Sequence, residues 1–174
     1  MKMKKLLRAV HWDQILLYSV AFWLFSHAFQ VLACLLDINT AEAVRLAEDP
    51  RFAIIGRQRN DPSGLQTLNM IMGIGKVVGT IVGFIYTIYL ARQRGGNWIN
   101  PSIAFLLTLV LGFFNMLGWA VVKNIFLSPG TLFNGVMYYI VDGLILLVLG
   151  VGIIYFNHKI RKKRNEPDED VEFA

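Results

Sequence analysis

Lys76 stands inside LNMIMGIGKVVGTIVGFIYTIYLA, residues 68–91, with no other charged side chain before Arg92. An isolated charge deep in hydrocarbon costs at least about 2.5–3.5 kcal/mol, so such groups face one another or a wet cavity. Three other apolar runs each carry a polar side chain at a comparable place: His27, Asn115 and Asp142. Counted from the outer end of each run, all four lie about eight or nine residues down, which is roughly 12 Å at 1.5 Å per helical residue. Lys76 and Asp142 are the natural ion pair. His27, Lys76, Asn115 and Asp142 together define an expected polar layer, with Gln30 one turn from His27 on a similar face.

Several other chemistries are excluded by type or spacing. Ser26 and His27 are adjacent and point about 100° apart on a helix, so they cannot act as nucleophile and base. GIGK followed by Thr80 lacks the spacing of a phosphate loop, and no strand precedes it. Cys34 is the single cysteine, which rules out an intramolecular disulfide or a cysteine metal cluster. No metal-ligating cluster or cofactor motif is present in the sequence, and no metal or cofactor is expected.

The elements that must position these residues are transmembrane. Of the 174 residues, 55% are hydrophobic, more than a soluble core needs. Runs at 14–36, 68–91, 102–124 and 134–157 are each long enough to cross about 30 Å of hydrocarbon as a helix. The first has no small-residue cleavage site after it and reads as a retained helix. The expected organisation is a cytoplasmic amino terminus over 1–13, a four-helix domain over 14–157 with an outer loop at about 37–67, and a cytoplasmic tail over 158–174, basic and then acidic.

Basic residues set the orientation. Lys2, Lys4, Lys5 and Arg8 precede the first run, Arg92 and Arg94 follow the second, and Lys159, Arg161, Lys162, Lys163 and Arg164 follow the fourth. Both termini are therefore expected in the cytoplasm. The net charge of +5 follows from this asymmetry and does not imply nucleic-acid binding. Trp12, Trp98 and Tyr155 are expected at the inner interface, with Trp119, Tyr138 and Tyr139 at the outer one. Lys123 is expected to snorkel outward.

In the outer loop, Asn39 with Glu42 three residues on predicts a capped amphipathic helix ending at Pro50. RFAIIGRQ predicts an extended segment, and RNDPSG a turn. Gly75, Gly79 and Gly83 recur every four residues and mark a close-packing face, for the chain's own helices or for a second copy. The fold class is all-α, a four-transmembrane-helix bundle with a small outer-face loop domain made of a short amphipathic helix and an extended segment.

The order of elements resembles the lipoprotein signal peptidases, intramembrane aspartyl enzymes also called signal peptidase II. RNDPSG around Asn60 and Asp61 is similar to the family's N-x-G segment, LGFFNMLGW around Asn115 to its G-N-x-x-D-R, and MYYIVDG to its F-N-x-A-D. The resemblance implies Asp142 as a catalytic aspartate. Gly118 stands where the first aspartate of the dyad belongs, Trp119 replaces the arginine, and Tyr139 replaces an asparagine. Aspartyl proteolysis needs two carboxylates sharing a proton, and one aspartate beside a lysine cannot supply this.

The expected function is a pseudoenzyme of the bacterial inner membrane. Its polar layer and outer loop, including Asn60 and Asp61, would bind a membrane lipid, a transmembrane peptide or a partner membrane protein. Two alternatives stay open. One is a divergent but active lipoprotein peptidase using Asp142 with Asp61 or Asp37, and the other is a small subunit of an ion- or proton-transport complex using His27, Lys76 and Asp142.

Overall fold

The computed structural model describes residues 10–48, 54, 61–93, 98–114 and 133–165, with side chains described to 110 in the fourth helix and to 159 in the last. Helix α1 spans Trp12–Ala33, passes through a 3-10 turn at Cys34–Asp37 and continues as α2, Ile38–Glu48. Helices α3 (Pro62–Gln93), α4 (Ile99–Phe114) and α5 (Val136–Asn165) follow. Three apolar helical stretches are long enough to cross a membrane, Trp12–Ala47, Pro62–Gln93 and Val136–Lys159, and Ile99–Val110 is a shorter apolar helix. The fold is that of a helical membrane protein, with no strand among the described residues.

The chain reverses direction at each long helix. Gly75 of α3 lies against Phe29, Gln30 and Ala33 of α1, and Gly83 lies against Phe22 and Phe25. Gly143 of α5 meets Leu32, Gly150 meets Phe25 and Ala21, and Asn157 reaches Gln14. Both α3 and α5 thus run antiparallel to α1. Asn100 at the start of α4 bonds to Gln14 at the start of α1, so α4 runs parallel to it.

Helix α1 is the axis of the bundle. Leu24, Phe25, Ser26, His27 and Ala28 are all buried, and consecutive burial of that length covers the whole circumference of a helix. Its apolar core joins Ile15, Tyr18, Ala21, Phe22 and Phe25 to Ala104 of α4 and Ile154 of α5. Phe22 meets the rings of Phe84 and Phe105 edge-on at 6.2 and 6.4 Å, and those two rings stack at 4.4 Å. Such aromatic geometry contributes about 0.5–1.5 kcal/mol per pair beyond area burial. The outward faces of α3 and α5 are apolar and exposed, as at Ile74, Val78 and Ile85, and at Leu144 and Val148.

Glycine solves the packing at α1. A Cβ on Gly75 would sit 2.8 Å from the Phe29 carbonyl oxygen, so only a residue without one allows this backbone approach. The Gly75, Gly79 and Gly83 face is therefore used within the chain, against α1.

Local differences from the sequence expectations have simple causes. Asn39 does not cap α2, because the helical path enters from α1 through the 3-10 turn and Asn39 is already inside the helix. Asp37 takes the capping role, its Oδ1 accepting the Thr40 N–H at 3.4 Å. Glu42 bonds to Arg45, with Nη2 to Oε2 at 2.9 Å, instead of closing a capping box. Most of the expected extended segment at 51–58 lies outside the described residues, and Ile54 within it is helical.

Helix α3 begins at Pro62, six residues before the predicted start at 68. Asp61 caps it and Pro62 occupies the first helical position, where a missing N–H costs nothing. The Asp61 carboxylate accepts the Ser63 hydroxyl, and the Leu65 N–H bonds to the Asp61 carbonyl at 3.0 Å. Helix α4 is described from 99 to 114, so the rest of the run predicted to 124 lies outside the described residues.

Candidate intramembrane polar site

The described members of the expected polar layer come from α1, α3 and α5. His27 is buried on α1, where its Nδ1 lies 3.0 Å from Gln30 Oε1. That contact fixes the ring plane. The Trp23 ring closes edge-on over the imidazole at 4.4 Å. One side of His27 is thereby sealed by apolar surface and another by an amide.

Lys76 is half-buried on α3, directly after Gly75, whose backbone lies against Phe29, Gln30 and Ala33 of α1. The Lys76 backbone carbonyl accepts the Thr80 hydroxyl at 2.9 Å. Such side chain-to-backbone bonds satisfy hydroxyls within a membrane helix and recur at Thr87 and Thr108.

Asp142 is buried on α5, 8% exposed, immediately before Gly143. The layer is staggered instead of flat. Lys76 follows Gly75 and so lies near the level of Phe29 to Ala33, while Asp142 lies near Leu32. Leu32 is five residues beyond His27, or roughly 7.5 Å along the axis.

The expected Lys76–Asp142 ion pair does not form: among the described residues Lys76 makes no ion pair, whereas Arg45 pairs with Glu42. The physical reason is the position of α1. Helices α3 and α5 both dock on α1 through glycines, so equal depth along the bundle does not bring their side chains face to face. Asn115 and Asn60 lie outside the described residues, as do Gly118, Trp119 and Lys123. Asp61, expected to belong to the loop's binding surface, is described as the exposed cap of α3. Among the described residues no group of His, Cys, Asp and Glu could hold a metal.

A second polar cluster sits at the opposite end of the bundle, and sequence reasoning missed it. Asn100 Nδ2 donates to Gln14 Oε1 at 2.8 Å, Asn100 Oδ1 accepts the His11 N–H at 3.2 Å, and Asn157 Nδ2 donates to the Gln14 carbonyl at 3.3 Å. Gln14 is 5% exposed, and Asn100 and Asn157 are each 1% exposed. The signal was present in Asn157 and His158, which interrupt an apolar run whose neighbours suggested only an interface anchor.

At the end where α1 passes into α2, Arg45 lies over the Tyr138 ring at 5.1 Å, and Tyr138 meets Tyr139 edge-on at 4.9 Å. Cys34, Ala41, Leu68 and Tyr139 form a small core beneath them. Tyr139 is buried there, so the residue expected to anchor at the interface instead packs α5 against α2.

These features define an integral membrane protein of the helical class with a buried polar site on its axial helix. Comparison with known proteins finds no match: no family model, no curated protein and no solved structure is significantly similar to this chain.

Proposed function

We propose that the protein is a non-catalytic binding protein of the bacterial inner membrane with a signal-peptidase-like scaffold. Its intramembrane polar layer, His27, Lys76, Asn115 and Asp142, takes a membrane lipid, a transmembrane peptide or a partner subunit. One observation carries this reading: Lys76 is half-buried yet makes no ion pair among the described residues, on a helix that packs on α1 within a turn of a histidine held by Gln30 and Trp23. A polar layer serving only to fasten helices would pair its charges with one another, because unpaired charge in hydrocarbon is costly.

The orientation belongs to the same proposal. Basic residues before α1, after α3 and along the end of α5 put both termini in the cytoplasm. The loop between α2 and α3 then lies outside, and the Lys76 level lies in the outer half of the membrane.

The test compares the wild type with a Lys76→Met, Asp142→Leu double variant, both extracted from native membranes and examined intact by mass spectrometry. Replacing charges by apolar groups of similar volume should leave the bundle folded. The wild type should carry a bound molecule that the double variant lacks. Equal retention by both would end the proposal.

A further inference from the structure

Helix α3 carries a polar track that opens toward the α2 end of the bundle. Gln66, Asn69, Gly73 and Lys76 follow one another at alternating spacings of three and four residues, which keeps them on one helical face, and Thr80 and Gly83 continue it. Thr80 and Gly83 are buried, Lys76 is half-buried, and Gly73, Asn69 and Gln66 are exposed. At Gly73 an added Cβ would meet nothing within 4 Å. The track is thus closed at depth and open above Lys76, and the Lys76 Cβ leans toward the open end because side chains tilt toward a helix's amino terminus.

The chain offers this cation little counter-charge. Of the acids at the open end, Asp37 accepts the Thr40 N–H, Glu42 pairs with Arg45 and Asp61 accepts the Ser63 hydroxyl, while Asp142 is the one acid within residues 68–157. Adjoining the track at and below the Lys76 level, Val77 and Ile81 are exposed apolar side chains suited to acyl chains. A ligand with a hydroxylated head, an anionic group beneath it and apolar tails matches this sequence of surfaces. A transmembrane peptide would have to bring its own buried carboxylate to the same depth.

We propose that the α3 track is a binding lane for an anionic phospholipid headgroup, whose phosphate pairs with Lys76 while its acyl chains lie deeper, along Val77 and Ile81. This rests on reading the polar layer as a binding site and names the class of its occupant. Gly73 keeps the lane open, and Asn69 and Gln66 offer hydrogen bonds to the headgroup hydroxyls beyond the phosphate.

The test uses the full chain in neutral detergent, with phosphatidylglycerol, phosphatidylcholine or inorganic phosphate added, reading the thermal midpoint and the lipid retained in intact mass spectra. Phosphatidylglycerol should raise the midpoint and be retained, and the other two should not. Lys76→Met should bind phosphatidylglycerol about fivefold more weakly or worse, as expected for loss of one basic contact. Gly73→Leu, placed in open space, should keep the wild-type midpoint without lipid and lose the lipid effect, whereas Lys76→Arg should retain it. Equal stabilisation by phosphatidylcholine would show a general lipid effect and overturn the proposal. Stabilisation by phosphate alone would replace the lipid with a free anion, and undiminished binding by Lys76→Met would remove Lys76 from the site. If phosphatidylglycerol fails to bind but a native molecule is still lost from the Lys76→Met, Asp142→Leu variant, the polar layer remains a binding site and only the lipid assignment falls.

Discussion

Asn100 and Gln14, 86 positions apart, share a 2.8 Å hydrogen bond between two side chains that are almost wholly buried. The contact ties the start of α4 to the start of α1, and Asn157 of α5 adds a third helix through the Gln14 carbonyl. Leaving a buried acceptor unmet costs about 1–3 kcal/mol in water-soluble proteins. Interhelical bonds in membranes average nearer 0.6 kcal/mol because the unfolded chain finds other partners. Asn100→Leu should therefore destabilise the protein by about 1 kcal/mol. A double-mutant cycle with Gln14→Leu, read by unfolding in mixed detergent, should give a favourable coupling below about 2 kcal/mol.

The glycines of α3 should divide into two kinds. A Cβ on Gly79 would collide with the Phe25 carbonyl group, whereas Gly73 has open space around it. Gly79→Ala should separate α3 from α1 and lower the thermal midpoint markedly, since the obstacle is backbone and cannot swing aside. Gly73→Ala should be neutral or stabilising by up to about 1 kcal/mol, the difference in helix propensity. Equal effects from the two substitutions would contradict the packing described for this face.

Asp61 supplies a pH dependence confined to the start of α3. The Ser63 hydroxyl is the main influence holding its carboxyl below the usual range, and the Ser63 and Gly64 backbone N–H groups add to it. Because the folded-state pKa is lowered, the stabilising contribution is present above the unfolded value and is lost as pH falls through the folded one. Ser63→Ala should raise the Asp61 pKa toward that of an ordinary aspartate, measurable by carbon-13 NMR titration in micelles. An unchanged titration midpoint would exclude the hydroxyl as the main cause.

Arg45 should fasten α2 to α5. It pairs with Glu42 on its own helix and lies over Tyr138 of α5, so only the second contact crosses between elements. Tyr138→Leu should loosen α2 by about 0.5–1 kcal/mol, the range for an exposed cation–π contact. Hydrogen exchange of the α2 amides would show it. Glu42→Gln should leave those amides nearly unchanged, because an i,i+3 pair within one helix contributes only about 0.2–0.5 kcal/mol.

The membrane class of this protein was legible in its sequence because spanning hydrocarbon requires long apolar runs that satisfy their own backbone hydrogen bonds, and such runs are a local property. The amphipathic helix after α1 was legible for the same reason, although its cap was misplaced: Asn39 and Asp37 are both good capping residues, and only the 3-10 turn decides between them. The close-packing use of Gly75, Gly79 and Gly83 was visible as a pattern, but its partner was not, because small residues every four positions fit a neighbouring helix or a second copy equally well. Depth along each helix follows from counting residues, and so the polar side chains could be assigned a level. Their azimuth could not, because it depends on which helix stands in the middle. The tertiary structure decided that α1 does, and this leaves Lys76 without an ion pair to Asp142 and brings Gln14, Asn100 and Asn157 together at the far end.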